Sequence, residues 1–382
     1  MQKEKDSKKI MLDHSEAKVR LLESYLSVYL NILHRAKGIN TVYLFDLFAG
    51  EGIYQNNKKG SALTILSAIK NHYFSNGKSC PKLYVMINEP GKSKIEKGVF
   101  KIDRIKKEAE KIYNPDTVDR NFTKFKYNEI IDEVSEIVNK LKQNERGLIF
   151  IDPWGYSQVQ FNELWSLLKT RRVELILFLP IYFMYRFAEK SLSGEYFPGG
   201  KKLKQLLKEI FKNIQPDLTD QETFISSLKA AFRNHSKSRF VDTFVIERSK
   251  GQLFSLFFFT NHPKGAEKML AAKWDLDESR GRGFRIDMIA EQASLFTGIE
   301  GSNYQRILLD YIKKTNNPTN IDIYIFGLEE GFLPKHSNQV LNRLKKAELI
   351  DVSSNDGQVV KGNYIGNYNR DIQFVYKKKG IK

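Results

Sequence analysis

The chain has 382 residues, 41% of them hydrophobic and 28% charged, with 62 Lys and Arg against 45 Asp and Glu for a formal net charge of +17. That length allows one large domain with an appendage, or two domains, and the composition is that of an ordinary globular protein. Cys80 is the sole cysteine, which excludes an intrachain disulfide and any cysteine-built metal site, and the six histidines are scattered without metal-ligand spacing, so no metal is expected.

No apolar run reaches the roughly 18 residues needed to cross a bilayer, so no membrane partner is expected. The first ten residues, MQKEKDSKKI, carry lysines but no apolar stretch, so no secretory signal is read and a cytoplasmic location is expected. The positive charge admits two readings: a polyanionic partner such as nucleic acid, or a Lys-rich surface that only maintains solubility. Residues 301–382 hold 13 basic and eight acidic side chains, so the excess is spread along the chain and marks no single binding stripe.

In chain order, residues 15–36 place Val19, Leu22, Leu26, Tyr29, Leu30 and Leu33 on one helical face, with Ser15 as N-cap and Gly38 beyond the end. Strand-like runs follow at 41–50, 82–90, 124–128, 147–155 and 173–181, separated by helical stretches at 61–72, 93–112, 129–143 and 160–170. Apolar strands alternating with helices predict a parallel sheet covered on both faces. The runs 239–248 and 253–262 then predict an antiparallel hairpin. Between the fifth strand and this hairpin, residues 185–237 form a Lys-rich insertion with a turn-rich loop (193–202) and a basic amphipathic helix (201–211). Such an insertion either covers a ligand crevice at the carboxyl edge of the sheet or is a structural elaboration. Three helices at 302–314, 319–331 and 334–350, then a ribbon at 359–366 and 371–379, predict a winged helix-turn-helix. The expected division is 1–300 and 301–382.

Four strand ends carry candidate chemistry. After the first strand comes Asp46-Leu-Phe-Ala-Gly-Glu-Gly52, where glycines let the backbone approach a ligand. The DxFAGxG form resembles the first motif of class I methyltransferases, which wraps the amino-acid part of S-adenosylmethionine (SAM); Asp46, Phe48, Ala49, Gly50 and Gly52 are the candidates, and a tight turn without ligand is the alternative. Glu89, ending the second strand, has the position of a ribose-binding carboxylate, or is a solvated acid before Pro90. Asn128, read as ending the third strand, is a candidate for the adenine ring or for capping the next helix. The fourth strand ends in Asp152-Pro153-Trp154-Gly155-Tyr156, which resembles the (D/N/S)PP(Y/F/W) motif of base amino-methyltransferases but has Trp-Gly in place of Pro-aromatic. Asp152, Pro153, Trp154 and Tyr156 are the candidate catalytic residues; alternatively Asp152 only holds the amino group of SAM and Trp154 is a packed aromatic. The three carboxylates at strand ends could also suit a nuclease metal site, but no lysine follows at E-x-K spacing. In the C-terminal domain Lys335, His336, Ser337, Asn338, Asn342 and Arg343 are expected to project from a recognition helix toward nucleic acid, unless that helix mediates protein contacts.

HSEAKVRLLESYLSVYL, DLFAGEGIY with GSAL, NEP, FIDPWGYSQV and FFFTNHPKGAEKMLAAKW occur in this order, and collectively the chain resembles the bacterial three-Cys-motif partner proteins over most of residues 12–280. The resemblance implies a methyltransferase-like fold, a winged-helix tail and a companion three-cysteine protein similar to radical-SAM proteins. Within the last of these stretches, structural packing at the end of the last strand is the expected role of His262 and Trp274. The expected fold is therefore a Rossmann-like class I SAM methyltransferase sheet, mostly parallel with an antiparallel hairpin, plus the winged helix. Two functions compete: a SAM-dependent methyltransferase acting on or with nucleic acid, and a non-catalytic SAM- or nucleotide-binding module of a partner enzyme.

Overall fold

The structure is a computed structural model, and it describes residues 11–36, 38–74, 80–112, 118–153, 155, 158–212, 214–248, 250–276, 283–284, 304–354, 362–365 and 372–376. The chain divides into two compact units, Met1–Lys268 with Gly283–Ala290, and Met269–Arg282 with Glu291–Lys382. This division falls ahead of the boundary read from the sequence.

The first unit is built on β1 (Thr41–Asp46), β2 (Lys82–Asn88), β3 (Val118–Thr123), β4 (Glu145–Ile151), β5 (Val173–Leu179), β6 (Phe240–Glu247), β7 (Leu253–Thr260) and the two-residue β8 (Gly283–Phe284). They form one sheet in the order β3-β2-β1-β4-β5-β7-β6-β8. Strands β1 to β5 are mutually parallel, whereas β7 runs antiparallel to both β5 and β6. The helices are α1 (Asp13–Arg35), α2 (Ser61–Ile69, continued by a π turn at Lys70–Phe74), α3 (Lys101–Glu110), α4 (Tyr127–Asn139), α5 (Phe161–Leu168), α6 (Ile181–Ser193), α7 (Gly200–Phe211), α8 (Gln221–Ser236) and α9 (Pro263–Leu276), of which residues 263–268 belong to this unit and 269–276 to the second.

Side chains on a strand alternate between faces, so a strand buried on both faces is apolar throughout. On one face Phe45, Ile149, Leu175, Leu177 and Phe257 join α4, α5, α7 and α8 in a single hydrophobic cluster. The alternate residues Leu44, Leu148, Ile176 and Phe258 are also buried. Tyr25 of α1 packs edge-on to Phe258 with ring centroids 4.9 Å apart, which places α1 on this second face.

Four sequence readings shift. The third strand is the polar run VDRNFT at 118–123, rather than 124–128. It pairs with β2 alone, and an edge strand with one buried face tolerates the polar alternation that hid it. Asn128 therefore ends no strand; it is an exposed residue in the first turn of α4. Helix α3 begins at Lys101 instead of 93, because Ser93, the buried Glu51 and Arg104 organise the preceding loop. Helix α1 starts two residues before Ser15, with Leu12 at the N-cap.

The second unit contains α10 (Tyr304–Thr315), α11 (Asn320–Glu329), α12 (Pro334–Lys346), β9 (Ile350–Ser354) and β10 (Ile372–Tyr376). Thr319 caps α11: its hydroxyl accepts from the Asp322 amide at 3.2 Å and the Asp322 carboxylate accepts from the Thr319 amide at 2.8 Å. The ribbon pairs β9 antiparallel to β10, so its first strand is 350–354 instead of the expected 359–366. Residues 362–365 are instead a bend that buries Tyr364 and Ile365. Three helices and a two-stranded ribbon make this unit a winged helix-turn-helix.

Candidate functional site

The carboxyl ends of β1, β4 and β5 border a cavity of about 530 Å³, within the range of small-molecule sites. Each wall comes from a different element. The loop after β1 contributes Phe48, Ala49 and Gly50, and the start of α2 contributes Gly60 and Ser61. The end of β4 supplies Asp152 and Pro153, and β5 supplies Phe178 followed by Pro180. Lys18 and Val19 of α1 close one side; Phe183 and Phe187 of α6, with Phe197 and Pro198 of the next loop, close another. Trp154 and Tyr156 lie outside the described residues.

The glycines of the first loop have different duties. Gly50 (φ +66°) faces open space, since a Cβ there would meet only the Tyr54 hydroxyl at 3.5 Å. Gly52 (φ +76°) is pressed on α3, where a Cβ would lie 2.5 Å from Ile105 Cγ1. Gly50 therefore keeps the cavity wall free of a side chain, whereas Gly52 serves packing.

Asp46 is completely buried. Ser61 donates its hydroxyl to Asp46 Oδ2 at 2.6 Å, while Oδ1 has no hydrogen-bond partner among the described residues. Burial pushes the Asp46 carboxyl up to about 7, outweighing the Ser61 hydrogen bond. Tyr54 lines the cavity, and burial, then the nearby Asp152 and Glu51 charges, hold its phenol well above the usual range. It is a neutral hydroxyl at physiological pH.

Glu89 is almost wholly buried and already bonded within the chain. Gly50 N–H donates to its Oε2 at 2.9 Å, and Gly91 N–H donates to Oε1 at 2.9 Å. Lys101 Nζ also reaches Oε1, at 3.2 Å. Glu89 is therefore not a solvated acid. Its neighbour Asn88 ties three strand ends together, donating to the Leu47 and Phe125 carbonyls and accepting from the Thr123 hydroxyl. Asn128 accepts from the Gln160 side chain at 3.3 Å and does not line the cavity.

Asp152 forms an ion pair with Lys18 at 2.6 Å, and the same ammonium sits 3.9 Å above the Phe178 ring. Nothing in the sequence singles out Lys18: one lysine among many on an amphipathic helix has no distinctive spacing. Tyr54 and Ser61 fall in the DLFAGEGIY and GSAL stretches, but nothing about either residue alone marked it as a cavity wall. Among the described residues no group of three or more His, Cys, Asp or Glu gathers as a metal site.

The winged helix presents a different surface from the one expected. Ser337 is buried and hydrogen-bonded to the Tyr304 hydroxyl at 2.7 Å. His336 is buried beside Trp274, with ring centroids 4.3 Å apart, and burial lowers its imidazole to about 4. Neither projects outward, and Trp274 packs within this unit instead of at the end of the last strand. Asn338 Oδ1 accepts from the Tyr364 and Ile365 amides at 2.9 and 3.0 Å, and Asn342 Nδ2 donates to the Gly362 carbonyl at 3.0 Å. Both asparagines pin the bend before β10. The exposed residues of α12 are Lys335, Gln339, Arg343, Lys345 and Lys346, of which Lys335, Gln339, Arg343 and Lys346 follow helical spacing. Gln339 and Lys346 are therefore additions to the sequence reading.

No helix among the described residues is long and apolar enough to cross a membrane. No curated protein matches the chain. Residues 274–357 match the model of the GMT-like wHTH domain, a span that opens at Trp274 and takes in α10, α11, α12 and β9.

Proposed function

We propose that the first unit is a SAM-binding, methyltransferase-like domain acting on nucleic acid, with the winged helix as a nucleic-acid-binding module. The observation that carries this reading is the sheet order β3-β2-β1-β4-β5-β7-β6 with β7 antiparallel. A parallel sheet ending in an antiparallel hairpin is the topology of SAM methyltransferases, and dinucleotide-binding Rossmann domains normally lack it. The wHTH match over 274–357 supports the resemblance to three-Cys-motif partner proteins, and with it a three-cysteine radical-SAM-like protein as partner.

The residues present fit the cofactor. Phe48, Ala49, Gly50 and Ser61 line the cavity, and Asp46, buried behind Ser61 and not itself a lining residue, keeps Oδ1 without a side-chain partner. Glu89 would hold the ribose only if Lys101 yields its bond to Oε1. When bound, SAM supplies an electrophilic methyl group on a sulfonium. The chain's contribution is alignment: Asp152, Pro153 and the phenylalanine walls would hold an acceptor in line and exclude water.

The Lys18–Asp152 pair favours a second reading, in which the domain binds SAM without transferring its methyl. A carboxylate already paired with an ammonium is a poor acceptor for the protons of a base amine. Incubation with tritiated SAM and single-stranded DNA, duplex DNA, RNA or protein decides between them. Label in a nucleic-acid fraction that disappears in Asp152→Ala supports transfer; bound SAM with no label in any fraction rejects it.

A further inference from the structure

The α6–α7 hairpin combines aromatic and basic residues. Phe183, Phe187, Phe197 and Pro198 line the cavity. Helix α7 is basic. Lys201, Lys204 and Lys208 follow one another along α7 and, with Gln205 and Glu209, line a shallow surface groove. Residues 181–212 hold seven Lys and Arg against three Glu. Two of those acids are already engaged: Glu195 pairs with Lys190 at 3.0 Å, and Glu209 accepts from the Gln205 amide at 3.0 Å. Among the described residues no acid forms an ion pair with Lys201, Lys204 or Lys208.

The loop joining the two helices carries Tyr196, which is 88% exposed. It stands between Gly194 and Gly199, whose φ values of +90° and +87° make the loop turn sharply at both ends. Phe183 is 43% exposed although it also lines the cavity. Two aromatic rings in water, one on the cavity wall and one a residue away from cavity-lining Phe197, serve no core. Aromatic faces that bases can stack on, beside a basic track for the backbone, are the two requirements for binding single strands without sequence preference. A duplex keeps its bases stacked on one another and would use only the lysines.

We propose that the α6–α7 hairpin is the loading platform for single-stranded nucleic acid: Tyr196 and Phe183 stack on unpaired bases, the lysine face of α7 holds the phosphates, and one base is passed to the cavity. This rests on the reading of the cavity as a site that acts on nucleic acid, and it names the form of the substrate as unpaired.

The test uses the full chain and a short single-stranded oligodeoxynucleotide carrying one 2-aminopurine, whose fluorescence is quenched on stacking. Binding should quench the probe. Tyr196→Ala should remove most of the quench and weaken binding about 5- to 100-fold. The triple variant Lys201→Ala, Lys204→Ala, Lys208→Ala should lower the slope of log affinity against log salt by about 2. Tyr196, Lys201 and Lys208 are exposed and Lys204 is half-buried, and an unchanged melting curve verifies the fold. Arg343→Ala with Lys346→Ala in the winged helix should keep the quench. Wild-type quench and salt slope in the platform variants would overturn the proposal and leave the basic face to an acidic protein partner. Loss of quench only in the winged-helix variant would overturn it as well. SAM titrations of the same proteins keep the two readings apart. A platform that quenches without SAM binding sinks the methyltransferase reading alone, and SAM binding without a platform effect sinks the platform alone.

Discussion

The cavity edge of the sheet and the recognition helix of the winged unit invite comparison, because residue types nominated both. At the sheet edge the loop after β1 does border a cavity, yet its acids are largely spoken for: Asp46 is buried under Ser61, and Glu89 holds two backbone amides and Lys101. On α12 the nominated polar residues turn inward to Tyr304 and to the bend at 362–365, leaving Lys335, Gln339, Arg343 and Lys346 outside. A short polar side chain is as useful for satisfying backbone groups as for meeting a ligand. Position on the element decides which, and that can be tested at both places.

The largest effect is expected from the two glycines of the first loop. Gly52→Ala should cost about 2–4 kcal/mol in urea unfolding, since it combines positive φ with a Cβ 2.5 Å from Ile105 Cγ1. Gly50→Ala, with nothing nearer than 3.5 Å, should cost about 1 kcal/mol. Equal costs would break the distinction between a packing glycine and an open one.

On the winged unit the comparison is between an inward and an outward residue of one helix. Asn338→Ala strands the Tyr364 and Ile365 amides and should cost about 1–3 kcal/mol. Arg343→Ala should change stability by no more than about 0.5 kcal/mol while weakening nucleic-acid binding in a polarisation titration. The reverse pattern would mean that the polar residues nominated by sequence are the contacts after all.

A smaller effect is expected from Glu174 on β5, which accepts hydrogen bonds from the Tyr25 and Thr260 hydroxyls. Desolvation pushes its carboxyl up to about 7. The folded state thus holds the proton more tightly than the unfolded chain. Its contribution to stability is complete below the unfolded carboxylate range and is lost as pH rises to about 7. Glu174→Gln should match the wild type near pH 4 and exceed it by about 1–3 kcal/mol near pH 8. A gap independent of pH would contradict the assignment.

Much of the architecture was legible in the sequence because burial on two faces leaves an apolar record: β1, β2, β4 and β5 stand out as runs, and β6 and β7 as a hairpin around Gly251. The polar edge strand β3 left no such record, and Asn128 was consequently set at a strand end that lies elsewhere. The loop at 46–52 was legible through glycines that only a turn requires. Lys18 and the phenylalanines of α6 were not, because cavity walls assembled from distant segments share no spacing. The inward turn of Ser337 and Asn338 was missed for a related reason: their partners, Tyr304 and residues 364–365, lie far away in sequence.

The central claim is that the cavity beside Gly50 and Asp152 takes SAM, and isothermal titration of the full chain with SAM tests it most directly. The account predicts saturable binding at one site per chain, weakened by Asp46→Ala and by Glu89→Ala in proteins that still melt cooperatively. No heat and no rise in melting temperature with the wild type, or affinity unchanged in both variants, would contradict it.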